Sequence, residues 1–391
     1  MISTEPPKVT YLASSLQGKV PLNDGWLETP IPLDRTPSSL NEKPIWTYRE
    51  YFETIKKILF RDSCGLLLEA MQKQLATSLT LPDIQEMLIF SEKHGNYYHP
   101  AKIEVKTPKG TARFALNVAL TERGVEVMGR EVQALCYLEA NYPYHWLPKV
   151  YFSDDFEKDS GSLDGIKGHR LSLFLADWLE GFQEFHLSFD PVDGTRKIIL
   201  WDGSPKPTYF SLKQTGQVYE QVSMILTHYY NPRTYEQIYP WHHGAGDFVV
   251  KINGEKIEVR LVTVRQYGAL MDPGEISVEE AGLFFFLNLS LRTRLDRLDG
   301  VGNLIWAEGD CLGRTWIGFL EGINIKEKER ILWPGFVPSF LNWMKGLSLS
   351  DLAERFAALL ESYDPDTPDL LIIKENIPPH ILDTYNLIQG A

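Results

Sequence analysis

Residues 241–251 read Trp-His-His-Gly-Ala-Gly-Asp-Phe-Val-Val-Lys, a loop of small residues that carries two adjacent histidines and runs into an apolar strand with Asp247 at its start. The residues that follow contain Asn253-Gly254 and then a second apolar run from 257 to 264. An Asn-Gly pair between two apolar runs predicts a β-hairpin closed at that pair. The histidines and Asp247 would then lie where a loop meets a strand, and scaffolds commonly present functional side chains at such junctions.

Length, charge and cysteine content narrow the class of protein. The chain has 391 residues, of which 43% are apolar, and its formal net charge of −13 argues against a broad electrostatic grip on nucleic acid or on an anionic membrane. Its three cysteines are widely spaced and form no Cys-x-x-Cys pair, which fits a reducing compartment. The N-terminus shows no signal-peptide pattern, and the longest apolar run, 283–291, is far shorter than the roughly 20 residues that span a bilayer. We therefore expect a cytoplasmic protein whose partner is a small-molecule ligand or another protein.

The first half of the chain predicts an arm, two helices and a sheet. Residues 1–44 are rich in Pro, Ser and Thr and predict an extended arm, whereas the apolar spacing between 46 and 80 predicts two helices. Residues 1–83 would thus pack on a core formed elsewhere. Residues 84–180 predict a first lobe, a small antiparallel sheet with one inserted amphipathic helix at 125–140. Strand-like segments lie at 87–90, 101–107, 113–120, 147–152 and 171–178.

The rest of the chain, residues 181–391, predicts a second lobe that is mainly helical. Two hairpins are expected within it, near 185–201 and 247–264. Helical spacing of apolar residues occurs at 215–230, 277–298 and 347–363. This order of elements favours an α+β fold with two lobes.

From about residue 84 to 365, the order of elements resembles the protein-kinase-like fold, in particular its small-molecule-kinase branch, which includes the aminoglycoside phosphotransferases. The resemblance implies ATP and Mg²⁺ as cofactors. In that fold the third strand carries a lysine that holds the nucleotide phosphates, and the helix carries a glutamate that pairs with it. The matching positions here are Asn117, which is not a lysine, and Glu131. The strand and linker that would meet the adenine are residues 173–181, which include Asp177 and Glu180.

The catalytic loop of the family has an aspartate followed, five positions later, by an asparagine that enters a strand. In this chain Asp247 occupies the asparagine position and His242 the aspartate position. In the next strand, Thr263 stands where the family has the metal-binding aspartate of Asp-Phe-Gly, and Arg265 stands where it has the glycine. Of the positions compared, only Glu131 matches the family, which predicts a degenerate catalytic site.

Two functions follow from the resemblance. The leading hypothesis is a kinase-like scaffold, catalytically degenerate, that binds a nucleotide or another small ligand in the cleft between its lobes. The competing hypothesis is an atypical phosphotransferase in which Asp247 holds the metal and His242 assists proton removal. In that enzyme Arg265 or Lys102 would replace the missing lysine.

The residue types alone leave further alternatives open. A metal-dependent enzyme could use His186, His242 or His243 together with Asp247. Asp247 could instead cap its own loop by accepting backbone N–H bonds, as turn aspartates often do. The polar and aromatic loop between 92 and 100, at the place of the family's phosphate-covering loop, could form a packed turn rather than a ligand contact.

Overall fold

A computed structural model of the chain describes residues 7–15, 18–31, 46–92, 95, 97–144, 146–157, 170–201, 204, 206–242, 246–272, 274–300 and 302–391. These residues form an α+β structure that divides into two compact units. The first unit comprises Met1–Tyr137 and Pro148–Glu180, and the second comprises Leu138–Leu147 and Gly181–Ala391.

The first unit is built on one sheet. Its elements are β1 (Lys8–Ser15), β2 (Gly18–Pro21), α1 (Asp24–Leu27), α2 (Tyr48–Leu59), α3 (Arg61–Leu75), β3 (Glu86–Ser91), β4 (His99–Thr107), β5 (Gly110–Ala119), α4 (Glu122–Asn141), β6 (Val150–Glu157) and β7 (Arg170–Asp177). The last turn of α4 belongs to the second unit. The predicted strands, the two early helices and the inserted helix are confirmed, with ends that differ by a few residues.

The sheet differs from the prediction in size and in direction. It has seven strands in the order β2-β1-β3-β4-β5-β7-β6, and β1 runs parallel to β3 while the other neighbours are antiparallel. The expectation of a small antiparallel sheet was wrong because part of the supposed arm forms β1 and β2. Tyr11 of β1 stacks on Phe52 of α2 with ring centroids 4.7 Å apart, so packing fixes a segment whose own composition favours a loop.

One face of this sheet packs against α2 and α3. Fully buried residues of this core include Tyr51 and Phe52 from α2, Leu67 from α3, and Ile103 and Phe114 from the sheet. Because successive side chains of a strand point to opposite faces, the other face of β4 and β5 carries a different set. That set contains Lys102, Glu104, Arg113 and Asn117.

The second unit combines small hairpins with long helices. Its elements are β8 (Glu184–Phe189), β9 (Arg196–Trp201), β10 (Thr208–Tyr209), α5 (Leu212–Tyr229), β11 (Glu236–Ile238), β12 (Phe248–Asn253), β13 (Lys256–Leu261), β14 (Tyr267–Ala269), α6 (Val278–Arg292), β15 (Leu295–Arg297), β16 (Leu304–Trp306), α7 (Cys311–Lys328), α8 (Phe336–Lys345), α9 (Leu349–Glu361) and α10 (Pro368–Gly390). Both predicted hairpins are confirmed. The helix predicted to reach residue 298 ends at Arg292, and a hairpin of β15 and β16 follows it.

The β12–β13 hairpin, which follows the 241–247 loop, is fastened to α5. Its turn consists of Gly254, at φ +63°, and Glu255, one position later than the predicted Asn-Gly turn. Two glutamines of α5 pair with the outer edge of β13: Gln217 bonds the Glu255 carbonyl at 2.9 Å and the Ile257 N–H at 3.0 Å. Gln221 donates to the Ile257 carbonyl at 2.7 Å and accepts the Val259 N–H at 3.0 Å. These bonds satisfy backbone groups that an edge strand would otherwise leave unpaired.

Helices α5 and α7 approach each other at two glycines of α7. A Cβ atom at Gly318 would lie 2.0 Å from the carbonyl oxygen of Glu220, and one at Gly322 would lie 2.6 Å from Cβ of Thr227. The two helices therefore pack in direct backbone contact, and α5 serves as a rigid support for the hairpin.

Candidate functional site

The residue at the start of β12, Asp247, is buried and fully engaged. Its side chain is 2% exposed. The Arg265 guanidinium donates from both terminal nitrogens to the two carboxylate oxygens, with a distance of 2.5 Å between Nη1 and Oδ2. Oδ2 also accepts the backbone N–H of His242 at 2.8 Å. Asp247 thus caps the loop across five residues and at the same time neutralises Arg265.

Burial and the guanidinium act in opposite directions on this carboxyl group. Burial raises the pKa of Asp247 above its ordinary value, and the Arg265 charge with its hydrogen bonds offsets part of that rise. The bidentate geometry is that of an ionised carboxylate with a planar cation. The positive charge of Arg265 thus lies against both oxygens of the Asp247 carboxylate, in the place that a bound metal ion would take.

A second arginine, Arg292, binds the first residue of the 241–247 loop. Arg292, the last residue of α6, is 3% exposed and donates to the carbonyl oxygen of Trp241 from Nε at 3.2 Å and from Nη2 at 3.0 Å. Its Nη2 also lies 3.3 Å from the Asp369 carboxylate at the start of α10. The guanidinium stacks over the ring of Tyr239, 5.1 Å from its centroid.

His242 lies between these two arginine contacts. Its backbone N–H is held by Asp247, and its Nε2 lies 3.4 Å from Nη2 of Arg292 and 4.0 Å from Oδ2 of Asp369. His243 and the following two residues, Gly244 and Ala245, lie outside the described residues.

Thr263 and Arg265 were predicted to lie in the second hairpin strand, but β13 ends at Leu261 and both residues lie in the segment that follows it. Thr263, which the resemblance predicts to replace a metal-binding carboxylate, is half-buried and stands two residues before Arg265. The backbone N–H of Val262 donates to the carbonyl oxygen of Asp247 at 2.8 Å. The segment after β13 is thus tied to Asp247 through both the backbone and the Arg265 side chain.

The remaining predicted residues belong to the first unit. Asp177 accepts three hydrogen bonds, from the Tyr151 hydroxyl at 2.7 Å, the Lys149 N–H at 3.1 Å and the Gln74 amide at 3.3 Å. This carboxylate joins α3, the segment before β6 and the end of β7. Its geometry is that of a structural link.

Glu180 belongs to a charged cluster on the sheet face that lies opposite the core. It is 3.2 Å from Nζ of Lys102 and 3.5 Å from Nε of Arg113, and Lys102 also lies 4.9 Å from the ring centroid of Trp178. The Lys102 side chain is only 6% exposed. A buried ammonium beside an indole face combines a phosphate-binding charge with a stacking surface.

Asn117 and Glu131 complete the predicted set. Asn117 is half-buried on β5, opposite Phe174 of β7. Glu131 is 1% exposed on α4. Lys102 and Arg113, on the neighbouring strands β4 and β5, contact Glu104 and Glu180.

The loop between β3 and β4 has the character of a packed turn where it is described. His99 bonds the Ser91 hydroxyl at 2.7 Å, and the Tyr51 hydroxyl donates to the His99 carbonyl at 2.9 Å. Tyr98 contacts Phe174 edge to face, with centroids 6.4 Å apart. His94 lies outside the described residues.

A metal site built from protein ligands finds no support in the described ranges. Within them, no group of three or more His, Cys, Asp or Glu side chains is placed to hold a metal ion. His186 packs edge to face on Trp201, with centroids 4.5 Å apart. Among the same residues, no helix is both long and apolar enough to cross a bilayer.

Sequence reasoning missed two members of the loop network. Arg292 and Asp369 belong to none of the motifs quoted from the sequence. The sequence does hold a signal for Arg292, because this charged residue directly follows a long apolar run. A charged side chain at such a place is rarely buried without a partner, so an ion pair could have been expected there. Neither a family model nor a curated protein matches this sequence.

Proposed function

We propose that this chain is a kinase-like scaffold that has lost metal-dependent phosphoryl transfer and binds a nucleotide, or a ligand of similar size and charge, without a metal ion. The order of the elements supports the kinase-like part of the proposal. The observation that carries the functional part is the pairing of Asp247 with Arg265.

Phosphoryl transfer requires cations that neutralise charge on the phosphate oxygens, and the family holds them with acidic or amide side chains. Both oxygens of Asp247 are occupied by the guanidinium, and the companion position is Thr263, which has no carboxylate. Breaking a buried ion pair by removing one partner costs about 3–5 kcal/mol. A divalent ion would have to offset that loss before it could bind.

The first unit supplies the groups that support ligand binding. Lys102 offers a buried positive charge, Trp178 offers an aromatic face, and both lie on the sheet face that α2 and α3 leave uncovered. Their carboxylate neighbour Glu180 is 59% exposed, so a phosphate can replace it at little cost. This cluster gives affinity for a nucleotide without a metal.

The test is thermal unfolding with ATP, ADP and adenosine, each with Mg²⁺ and with EDTA. We expect ATP to raise the melting temperature equally under both conditions and Lys102→Met to abolish the shift. Lys106→Met is the matched control, because Lys106 lies on the same strand, is exposed and pairs only weakly with Glu86. A phosphate-release assay should stay at the blank rate.

Two results would count against the proposal. A magnesium-dependent shift that disappears in Asp247→Ala, together with phosphate release, would establish the atypical phosphotransferase instead. The absence of a shift with every nucleotide would remove ligand binding and leave a scaffold for a protein partner.

A further inference from the structure

One oxygen atom in the charged cluster of the first unit contacts two cations at once. Oε2 of Glu180 lies 3.2 Å from Nζ of Lys102 and 3.5 Å from Nε of Arg113. Lys102 and Arg113 belong to the neighbouring strands β4 and β5, so the sheet fixes their separation. The position of this oxygen therefore marks a place where both residues can hold an oxyanion.

The two carboxylates of the cluster are held in different ways. Glu104 of β4 lies directly opposite Arg113 and contacts it at 3.2 Å, and its side chain is only 14% exposed. Glu180 follows β7, outside the sheet, and its side chain is 59% exposed. Exposed ion pairs contribute little to stability, whereas the loss of a buried partner is costly. Glu180 is thus the carboxylate that can leave, and solvent reaches the place that it occupies.

The sheet face that carries this cluster is positively charged, against the charge of the whole chain. Among the described residues of β1 to β5, this face has five cations and two acids, which leaves 5 − 2 = +3 in a chain of formal charge −13. The cations are Lys8, Lys19, Lys102, Lys106 and Arg113, and the acids are Glu86 and Glu104. An anion that replaces Glu180 therefore meets a positive field.

Two further acids of the same sheet do not alter that field at the cluster. Asp177 lies opposite Phe114, a core residue, so its side chain is on the other face. Asp155 of β6 bonds the Ser172 hydroxyl, and Ser172 pairs with Ala119, at the opposite end of β5 from Arg113. Glu180 is thus the acid that compensates Lys102 and Arg113 from outside the sheet.

Glu180 acts from a short tether. The N–H of Trp178, two residues before it, donates to the carbonyl oxygen of Arg113 at 3.4 Å. A group on so short a tether has an effective concentration on the order of millimolar at its binding place. A free anion must exceed that concentration to replace Glu180, unless it gains affinity from another contact. The ring of Trp178, whose centroid lies 4.9 Å from Nζ of Lys102, offers such a contact to a planar group.

We propose that Glu180 is an internal competitor for the ligand of the first unit, and that Arg113 joins Lys102 in holding the anionic group of that ligand. The inference rests on the proposed function, to which it adds a second binding residue and a means of regulation. In the free protein the Glu180 carboxylate occupies the anion position and weakens binding. A molecule that combines a phosphate with a planar ring replaces it at concentrations at which a phosphate alone does not.

The test is isothermal titration calorimetry of the full chain with ATP, sodium pyrophosphate and adenosine, all in EDTA. Glu180→Gln keeps the size of the side chain and removes the competing charge. Because an exposed ion pair favours the paired state by a factor of up to about five, we expect Glu180→Gln to strengthen ATP and pyrophosphate binding about three- to fivefold. Adenosine has no group for the anion position, so its affinity should stay the same.

Arg113→Gln tests the second binding residue. It should weaken ATP at least about fivefold, because it removes a charge-assisted hydrogen bond, and it should leave adenosine unchanged. Arg113→Lys keeps the positive charge and should lose less affinity than Arg113→Gln. Equal ATP affinity in wild type and Arg113→Gln would overturn the role of this arginine.

The matched control is Glu86→Gln, which removes the same charge from the same face at a carboxylate that pairs with Lys106 at 2.8 Å. It should change ATP affinity by less than about twofold, because salt screens charges that do not touch the ligand. The inference is overturned if Glu180→Gln leaves ATP affinity unchanged, or if both glutamine variants strengthen ATP alike.

The pyrophosphate titration separates this inference from the proposed function. If neither ATP nor pyrophosphate binds wild type or Glu180→Gln, both are overturned. If ATP binds wild type but Glu180→Gln does not strengthen it, the proposed function stands and the competitor is excluded. Pyrophosphate binding that Glu180→Gln strengthens, without any binding of ATP, would support the anion position and remove the nucleotide from the proposed function.

Discussion

Arg265 covers both oxygens of Asp247, a carboxylate whose side chain is 2% exposed, while its own side chain is 24% exposed. The two residues are therefore unequal partners. Arg265→Ala leaves a buried charge without compensation and should lower the free energy of unfolding by about 3–5 kcal/mol. Asp247→Ala leaves a cation that can reach water and should cost less. Urea unfolding of the two single variants and the double variant measures the coupling directly.

The cost of Arg265→Ala should also depend on pH. Without the guanidinium, burial alone acts on Asp247 and raises its pKa further. A carboxyl group whose folded pKa lies above its unfolded value of about 3.9 destabilises the fold above that value and less so as pH falls and it takes up a proton. The difference in stability between wild type and variant should shrink between neutral pH and about pH 4. A pH-independent difference would show that lost packing, and not the unpaired charge, causes it.

The glutamines of α5 give a further prediction, on the stability of the β12–β13 hairpin. Gln221 bonds both the carbonyl of Ile257 and the N–H of Val259 through one amide group. Gln221→Leu keeps the size of the side chain but leaves two backbone groups of β13 unpaired, which should cost about 1–3 kcal/mol. Hydrogen exchange should show faster exchange at Val259. The adjacent Glu220→Gln, whose side chain faces Arg314 instead, should leave that amide unchanged.

Lys326 should make the free energy of unfolding depend on pH above neutrality. It is 0% exposed and donates to the His228 carbonyl at 2.6 Å, and burial lowers its pKa to about 7. Because the unfolded value is about 10.4, the unfolded chain holds a proton that the folded chain releases between these two values. Stability from this group should therefore rise with pH above 7, by up to about 1.4 kcal/mol per unit.

Lys326→Met should remove that slope. The useful window ends near about pH 8.5, because burial raises the pKa of Cys311 to about 12 and this thiol acts in the opposite sense once its unfolded counterpart ionises. Urea unfolding of both chains between about pH 7 and 8.5 is the measurement. Equal slopes in the two chains would contradict a neutral buried amine.

His228 gives the corresponding prediction on the acid side. Neither ring nitrogen has a hydrogen-bond partner among the described residues, and four aromatic rings surround the imidazole with centroids 4.9 to 5.5 Å away. Burial, followed by the charge of Lys326, lowers the pKa of His228 to about 3. Stability should thus be lost as pH falls from about 6.5, where the unfolded imidazole starts to take up its proton.

His228→Phe should reduce this loss of stability at acid pH, because a phenyl ring takes up no proton. His380→Phe is the contrasting variant, since burial also lowers the pKa of His380 to about 3 but its Nε2 bonds the Ser290 hydroxyl at 3.0 Å. His380→Phe should lower the stability at neutral pH, because it removes the hydrogen bond with Ser290. Unfolding curves at several pH values separate the two cases.

How far the sequence predicts this molecule depends on whether a feature is local. The β12–β13 hairpin follows from Gly254 between two apolar runs, and the capping of the 241–247 loop follows from an aspartate at its end. The partner of that aspartate does not, because Arg265 comes 18 residues later and reaches Asp247 only once the hairpin has turned the chain back. Strand β1 was missed for a similar reason, since only pairing with β3 and contact with α2 make residues 8–15 a strand.

The pairing of β1 with β3 has a consequence for how the chain is made. Strand β1 is made before its partner β3, which begins 78 residues later (86 − 8), so β1 must wait for the strand with which it pairs. Until β3 is made, the edge of β1 that pairs with it presents unpaired backbone groups of the kind that recruit strands from other molecules. The pairing of β1 with β3 can therefore form only after residues 8–91 have all been made.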